Sequence, residues 1–188
     1  MNKLMLLFFG LIITFVSCDG RDRVYQSNKS VLEAHHLLNS FSEQIKFTPN
    51  EYTEIVTDTL LSNDFKVNIK YFSSEKDSVI KTYRSNEATI THHYKDFKAR
   101  LTVAKNNAII VDGVINKSLF SKFETASFWN DAIMQFIWVD YTQTTTNKIN
   151  LNVSFCAPEQ NNCKDYTVII HESGAIKIEE LDLSKAIL

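Results

Sequence analysis

The sequence predicts a mainly β (α+β) protein, an antiparallel sheet curled into a sandwich or open barrel. Three observations carry that expectation. Period-two alternation of apolar and polar residues recurs in stretches such as Phe65-Lys66-Val67-Asn68-Ile69 and Ile149-Asn150-Leu151-Asn152-Val153, as half-buried strands require. Short turn signals separate these stretches, among them Asn106-Asn107 and Glu172-Ser173-Gly174. Only one long stretch, near the start, carries the three- and four-residue spacing of an amphipathic helix.

The chain opens on MNKLMLLFFGLIITFVSC. Lys3 gives a positive start and Leu4 to Val16 an apolar run, shorter than the roughly 20 residues that span a bilayer. Residues 1–17 are therefore expected to be a lipoprotein signal peptide. Phe15-Val16-Ser17-Cys18 resembles a lipobox, although Phe15 stands where Leu is usual, and no register offers ordinary signal peptidase a good pair of small residues. Cys18 is the expected lipidation site: its thiol takes a diacylglycerol and its freed amine a further chain, and two chains hold a protein stably at a membrane. Residues 18–29 form the expected tether and residues 30–188 a single mostly-β domain with an N-terminal helix.

A formal net charge of −2, with no long run of one sign, supplies no basic stripe and argues against a nucleic-acid surface. With Cys18 lipidated, Cys156 and Cys163 remain as an even pair. In an oxidising compartment they are expected to form a disulfide, worth about 2–3 kcal/mol by loop-closure entropy.

Ser30-Val31-Leu32-Glu33 has the form of a capping box, and Val31, Ala34, Leu38, Phe41 and Ile45 form one apolar stripe. A helix from about Val31 to Lys46 is expected to lay that stripe on the domain, ended by Thr48-Pro49-Asn50. Strands are expected over Tyr52–Leu61, Phe65–Tyr71, Thr89–Tyr94, Phe97–Val103 and Ala108–Val111, with turns at Asn106-Asn107 and Asp112-Gly113. From Asn116 to Asp131 alternation lapses among Leu119, Phe120, Phe123, Phe128 and Trp129, so one or two short helices are expected to plug the sheet over about 117–131. Ala132 to Tyr141 is apolar on both parities and reads as a strand covered on both faces, at the centre of the core. Strands Ile149–Phe155, Tyr166–His171 and Ala175–Ile178 complete the sheet. Gly113 and Gly174 are expected where φ turns positive.

No catalytic constellation emerges. His92 and His93 are neighbours on a strand and point to opposite faces; His35 and His36 sit side by side on a helix; neither pair has ligand spacing for one metal. There is no Gly-x-Ser-x-Gly elbow and no Gly-rich phosphate loop, and strand alternation separates Glu179 from Glu180. No catalytic residue, metal or cofactor is expected, and the chain is not expected to be an enzyme. Phe128-Trp129, an apolar pair in a polar stretch, is the candidate binding patch if it is exposed; core packing is the alternative.

The lipobox-like start, Asn116-Lys117-Ser118-Leu119-Phe120 and the Phe155-Cys156-x6-Cys163-x2-Tyr166 hairpin together resemble the small uncharacterised lipoproteins of Bacteroidetes. The resemblance implies an envelope location and a mostly β fold, with no functional residue to transfer. Asp58-Thr59-Leu60 and Asp77-Ser78-Val79 resemble the acceptor for protein O-glycosylation in that group, with Thr59 and Ser78 as the hydroxyl residues, which would need to be exposed. The expected role is a lipid-anchored cell-envelope protein, on the periplasmic face or cell surface, partnered with the membrane through its anchor. It would bind another envelope protein or a small ligand without catalysis. An inhibitor of envelope-attacking enzymes is the second reading, and a hydrolase with dispersed residues the third.

Overall fold

A computed structural model describes residues 26–35, 37, 43–61, 63–84 and 88–181. Cys18 and the leader lie outside the described residues. The chain divides into two compact units, one within 1–44 and 82–90, the other within 45–81 and 91–188.

In the first unit, helix α1 spans Asn28–Ala34. Its N-cap is Ser27, whose side chain accepts from Ser30 N at 3.2 Å, so the helix starts one turn before the expected capping box. The helix expected to continue to Lys46 does not: α1 ends at Ala34, and Glu43–Thr48 is strand β1. Ile45, Phe47 and Thr48 are β-branched or aromatic, and pairing beside another strand overrides a helical stripe of modest propensity. No residue of α1 is buried.

The second unit is an antiparallel β-sandwich, with no closed barrel among the described residues. Its strands in order are β2 (Glu54–Leu60), β3 (Phe65–Arg84), β4 (Thr89–Lys105), β5 (Ala108–Ile115), β6 (Ile133–Asp140), β7 (Lys148–Ala157), β8 (Asn162–His171) and β9 (Ile176–Glu180). The tips of β3 and β4, like the start of β1, belong to the first unit. One sheet runs β1-β4-β3-β2 with β5 also on β4; the other runs β6-β7-β8-β9.

Alternation decides what lies between the sheets. Phe65, Val67 and Ile69 of β3 and Ala99, Leu101 and Val103 of β4 meet Ile149, Leu151, Val153 and Phe155 of β7 and Tyr166, Val168 and Ile170 of β8. The expected helical plug is present as a 3-10 helix at Lys117–Phe120 and helix α2 at Ala126–Asp131. Thr125 caps α2 by accepting from Phe128 N at 3.4 Å. The plug presents Phe120 and Trp129 to the rings of Phe155 and Tyr166.

Three local expectations change. Thr89–Tyr94 and Phe97–Val103 are one continuous strand, β4. Asn106 and Asn107 do turn the chain, with φ of 52° and 66°, but Asp112-Gly113 lies within β5, where Gly113 faces Leu101 across the ladder. Gly113 has no positive φ; Gly174, at φ 80°, does. The strand expected at the core's centre, Ala132–Tyr141, is instead the edge strand β6, and the central strands are β7 and β8. β6 has apolar residues on both parities because its outward parity carries exposed aromatics.

Candidate functional site

The site begins with a bulge in β6. Pairing with β7 slips between Met134 and Phe136, so that Met134 faces Phe155 and Phe136 faces Ser154. Three side chains hold that slip. The Asp96 carboxylate, 3% exposed, accepts from Met134 N at 3.1 Å and from Phe97 N at 2.8 Å. Lys117 Nζ lies 3.4 Å from the other Asp96 oxygen and donates to Ala132 O at 3.3 Å. The Tyr71 hydroxyl, its ring stacked on Phe97 at 4.7 Å, lies 2.9 Å from both Met134 O and Gln135 O. Burial, then the negative charge of Asp96, raises the pKa of Tyr71, which stays a neutral donor.

Beyond the bulge the alternation of β6 sends Ile137 and Val139 towards the core and Phe136, Trp138 and Asp140 outwards. Phe136 is 50% exposed and Trp138 44%, their rings edge-to-face at 5.9 Å. Opposite them, the outward residues of β7 are Ser154, Asn152 and Asn150, in register with Phe136, Trp138 and Asp140. β8 adds Asp165 beside Ser154, Thr167 beside Asn152 and Ile169 beside Asn150, and β9 adds Glu179 and Lys177 in the next row. The Cys156–Cys163 disulfide joins directly opposed residues at one end of this face.

The floor is hydrogen-bonded along one line. Thr167 Oγ1 donates to Asn152 Oδ1 at 3.0 Å, and Asn152 Nδ2 donates to Asp140 Oδ2 at 3.1 Å. The other Asp140 oxygen accepts from Thr142 N, Thr142 Oγ1 and Gln143 N. Desolvation pushes the Asp140 carboxyl up, but the donors outweigh it and hold its pKa below the ordinary carboxylate value. Asn150 is the exception: it is 5% exposed, and its Oδ1 is buried without a donor.

A cleft of about 350 Å³ adjoins this face at the open side of the sandwich, between β2 and β6. Ile69, Ile137 and Val139 form its apolar wall, and Thr57, Thr59, Trp138, Tyr141 and Thr142 its rim. Trp138 and Asp140 belong to both features.

The residues singled out from the sequence lie elsewhere. Phe128 and Trp129 are each 8% exposed, edge-on at 5.0 Å within the core, so that pair offers no binding patch; α2 turns both rings inward onto Phe155 and Tyr166. Thr59 is half-buried at the cleft rim, and Ser78 is exposed, its Oγ 3.4 Å from His93 Nδ1. His92 and His93 have separate partners: His92 Nε2 is 2.8 Å from Thr48 Oγ1, and His93 packs on Phe47. His92 Nδ1 is 3.9 Å from Glu159, which also accepts from the Tyr94 hydroxyl. Among the described residues no group of three His, Cys, Asp or Glu is placed to hold a metal. The signal that marks the site was present in the sequence as Asn150, Asn152 and Ser154 on one parity of β7, short hydrogen-bonding groups where long charged ones usually face solvent.

Residues 40–178 match the family model described as a domain of unknown function (DUF4738), which covers most of the chain. No curated protein matches it.

Proposed function

We propose that this chain, which belongs to the DUF4738 family, is a noncatalytic binding protein of the cell envelope that presents the outer face of its second sheet to a ligand or partner. The observation that carries the reading is the pair of exposed rings, Phe136 and Trp138, fixed beside a floor of amide and hydroxyl groups. Exposed aromatics on a rigid strand lose little conformational freedom on binding and supply much contact area.

Attachment through Cys18 accounts for the apolar leader and its lipobox-like end. The Cys156–Cys163 disulfide fits an oxidising compartment. No helix among the described residues is long and apolar enough to cross a membrane. Growth in radiolabelled fatty acid should label the chain, with label lost in Cys18→Ala; an unlabelled wild type sinks the anchor. The binding face is tested by oxidising Trp138 with N-bromosuccinimide in the presence and absence of envelope extract. Protection of Trp138 is expected, whereas buried Trp129 should resist oxidation throughout. An oxidation rate unchanged by every extract fraction overturns the binding reading.

A further inference from the structure

We propose that the open edge of β6 takes an extended segment of another polypeptide as a further strand, whose inward side chains fill the cleft beside β2. The proposal rests on the binding reading above and names the class of partner.

Register shows which backbone groups face that edge. Asp165 O accepts from Leu181 N at 2.8 Å, so Asp165 bonds towards β9 and forms a non-hydrogen-bonded pair with Ser154. Ser154 therefore bonds towards β6, as does Asn150, whose N donates to Thr144 Oγ1 at 3.2 Å in the turn after β6. Their row, Phe136, Trp138 and Asp140, turns its N–H and C=O groups to β7, which leaves those of Ile137 and Val139 directed off the sheet. No strand lies on that side of β6 among the described residues. Before the bulge, Asp96 and Tyr71 already hold the groups of Met134 and Gln135, so the open stretch begins after it.

The space beside this edge is shaped for one strand. Ile55, Thr57 and Thr59 of β2 share the inward parity of Tyr71, Ile69 and Val67, their register partners on β3. Yet Ile55 is 56% exposed and Thr57 is exposed as well, as no strand of the second sheet lies beyond β6 to cover them. The cleft of about 350 Å³ occupies that place, walled by Ile69, Ile137 and Val139. A strand added to β6 sets the residues opposite Ile137 and Val139 into the cleft and the residue between them outwards, beside Trp138.

These features select the occupant. Backbone groups repeating along an open edge are matched by another extended backbone, and the apolar wall matches apolar residues at every second position. Among the residues lining the cleft, Asp140 alone is charged at neutral pH, so the guest residue opposite it should be Lys or Arg. A second copy fits less well, because its β6 arrives with its own β2 alongside, where β2 of the first copy already stands.

The test uses the full-length chain in detergent micelles and acetylated, amidated octapeptides with a Val-Phe-Val core. Lys, Gln or Glu precedes the core, to face Asp140 in antiparallel alignment. Calorimetry and residue-resolved amide hydrogen exchange are the readouts. The Lys peptide is expected to bind at least fivefold tighter than the Glu peptide. It should slow exchange at Ile137 and Val139 at least tenfold and leave Phe136 and Trp138 unchanged. N-methylation of either valine should weaken binding at least tenfold, since both valines exchange bonds with β6; N-methylation of the phenylalanine should change it less than twofold. Failure of all three peptides to bind overturns the strand assignment, as does binding without protection of Ile137 and Val139 or indifferent to valine N-methylation. Concentration-dependent protection of those two amides in the chain alone gives the edge to a second copy and also overturns it. If extract protects Trp138 from oxidation and no peptide binds, the strand assignment falls and the binding face stands. If no extract protects Trp138, both fall.

Discussion

Asp96→Ala should unpin β6 and with it the aromatic wall. The carboxylate is 3% exposed and accepts from Met134 N at 3.1 Å and Phe97 N at 2.8 Å. Hydrogen bonds to a charged group are worth about 1.5–3 kcal/mol each. They share one acceptor and do not simply add. Lys117 is about a third exposed and keeps much of its hydration when its partner goes, so its orphaning adds little. A loss of about 3 kcal/mol follows, or a fall in Tm of about 6–12 °C for a chain of this size. Asp96→Asn keeps an acceptor oxygen but loses the charge, and should cost about half as much. Urea unfolding followed by circular dichroism measures both, with the m-value unchanged. Because the lost bond holds the bulge, Trp138 emission in the folded Ala variant should also change while the buried Trp129 contribution stays constant. An Ala variant within about 1 kcal/mol of wild type would refute the clamp, and an Asn variant as damaging as Ala would refute the role of its oxygen.

Cys156→Ala with Cys163→Ala should lower stability by about 2.5 kcal/mol, the loop-closure value for a ring this small, measurable as a shift in urea midpoint. Gly174→Ala should cost about 1–3 kcal/mol, since its φ is 80° and a Cβ would sit 2.8 Å from Ile110 O. Gly113→Ala, with nothing within 4 Å, should be neutral or stabilising by up to about 1 kcal/mol. The Asp140 carboxyl has its folded pKa held below the ordinary value of 3.8, so its stabilisation is complete above that value and is lost as pH falls through the folded pKa. Asp140→Asn should therefore flatten the fall in stability below about pH 4, a change visible in melting curves from pH 6 to 2.

The sheet was readable wherever one face meets the core and the other meets solvent, because that contrast is what a period of two records. β3 and β4 satisfy it, with buried residues alternating with exposed or half-buried ones, and the Asn106-Asn107 turn announces itself because Asn tolerates positive φ. Gly113 misled because glycine is compatible with a turn but does not demand one; in β5 it simply leaves open space above the ladder. The helix overran because an apolar stripe at helical spacing continued into Ile45, while the preference of Ile45, Phe47 and Thr48 for an extended partner is a tertiary effect. Phe128 and Trp129 were ambiguous for the same reason: which way a short helix faces depends on the sheet it caps.

The misplacement of β6 is the instructive one, because it hid the site. A strand apolar on both parities is expected to be covered on both faces, yet an edge strand whose outward parity is aromatic gives the same pattern. What separates the two cases lies one strand away. Had β6 been central, its outward rings would need an apolar cover, and the adjacent strand would carry apolar residues on the same face. Instead Asn150, Asn152 and Ser154 stand in register with Asp140, Trp138 and Phe136. Rings beside short amides and hydroxyls cannot form a dry core without leaving those polar groups unpaired, at about 1–3 kcal/mol each. The polar parity of β7 thus fixes the meaning of the apolar parity of β6.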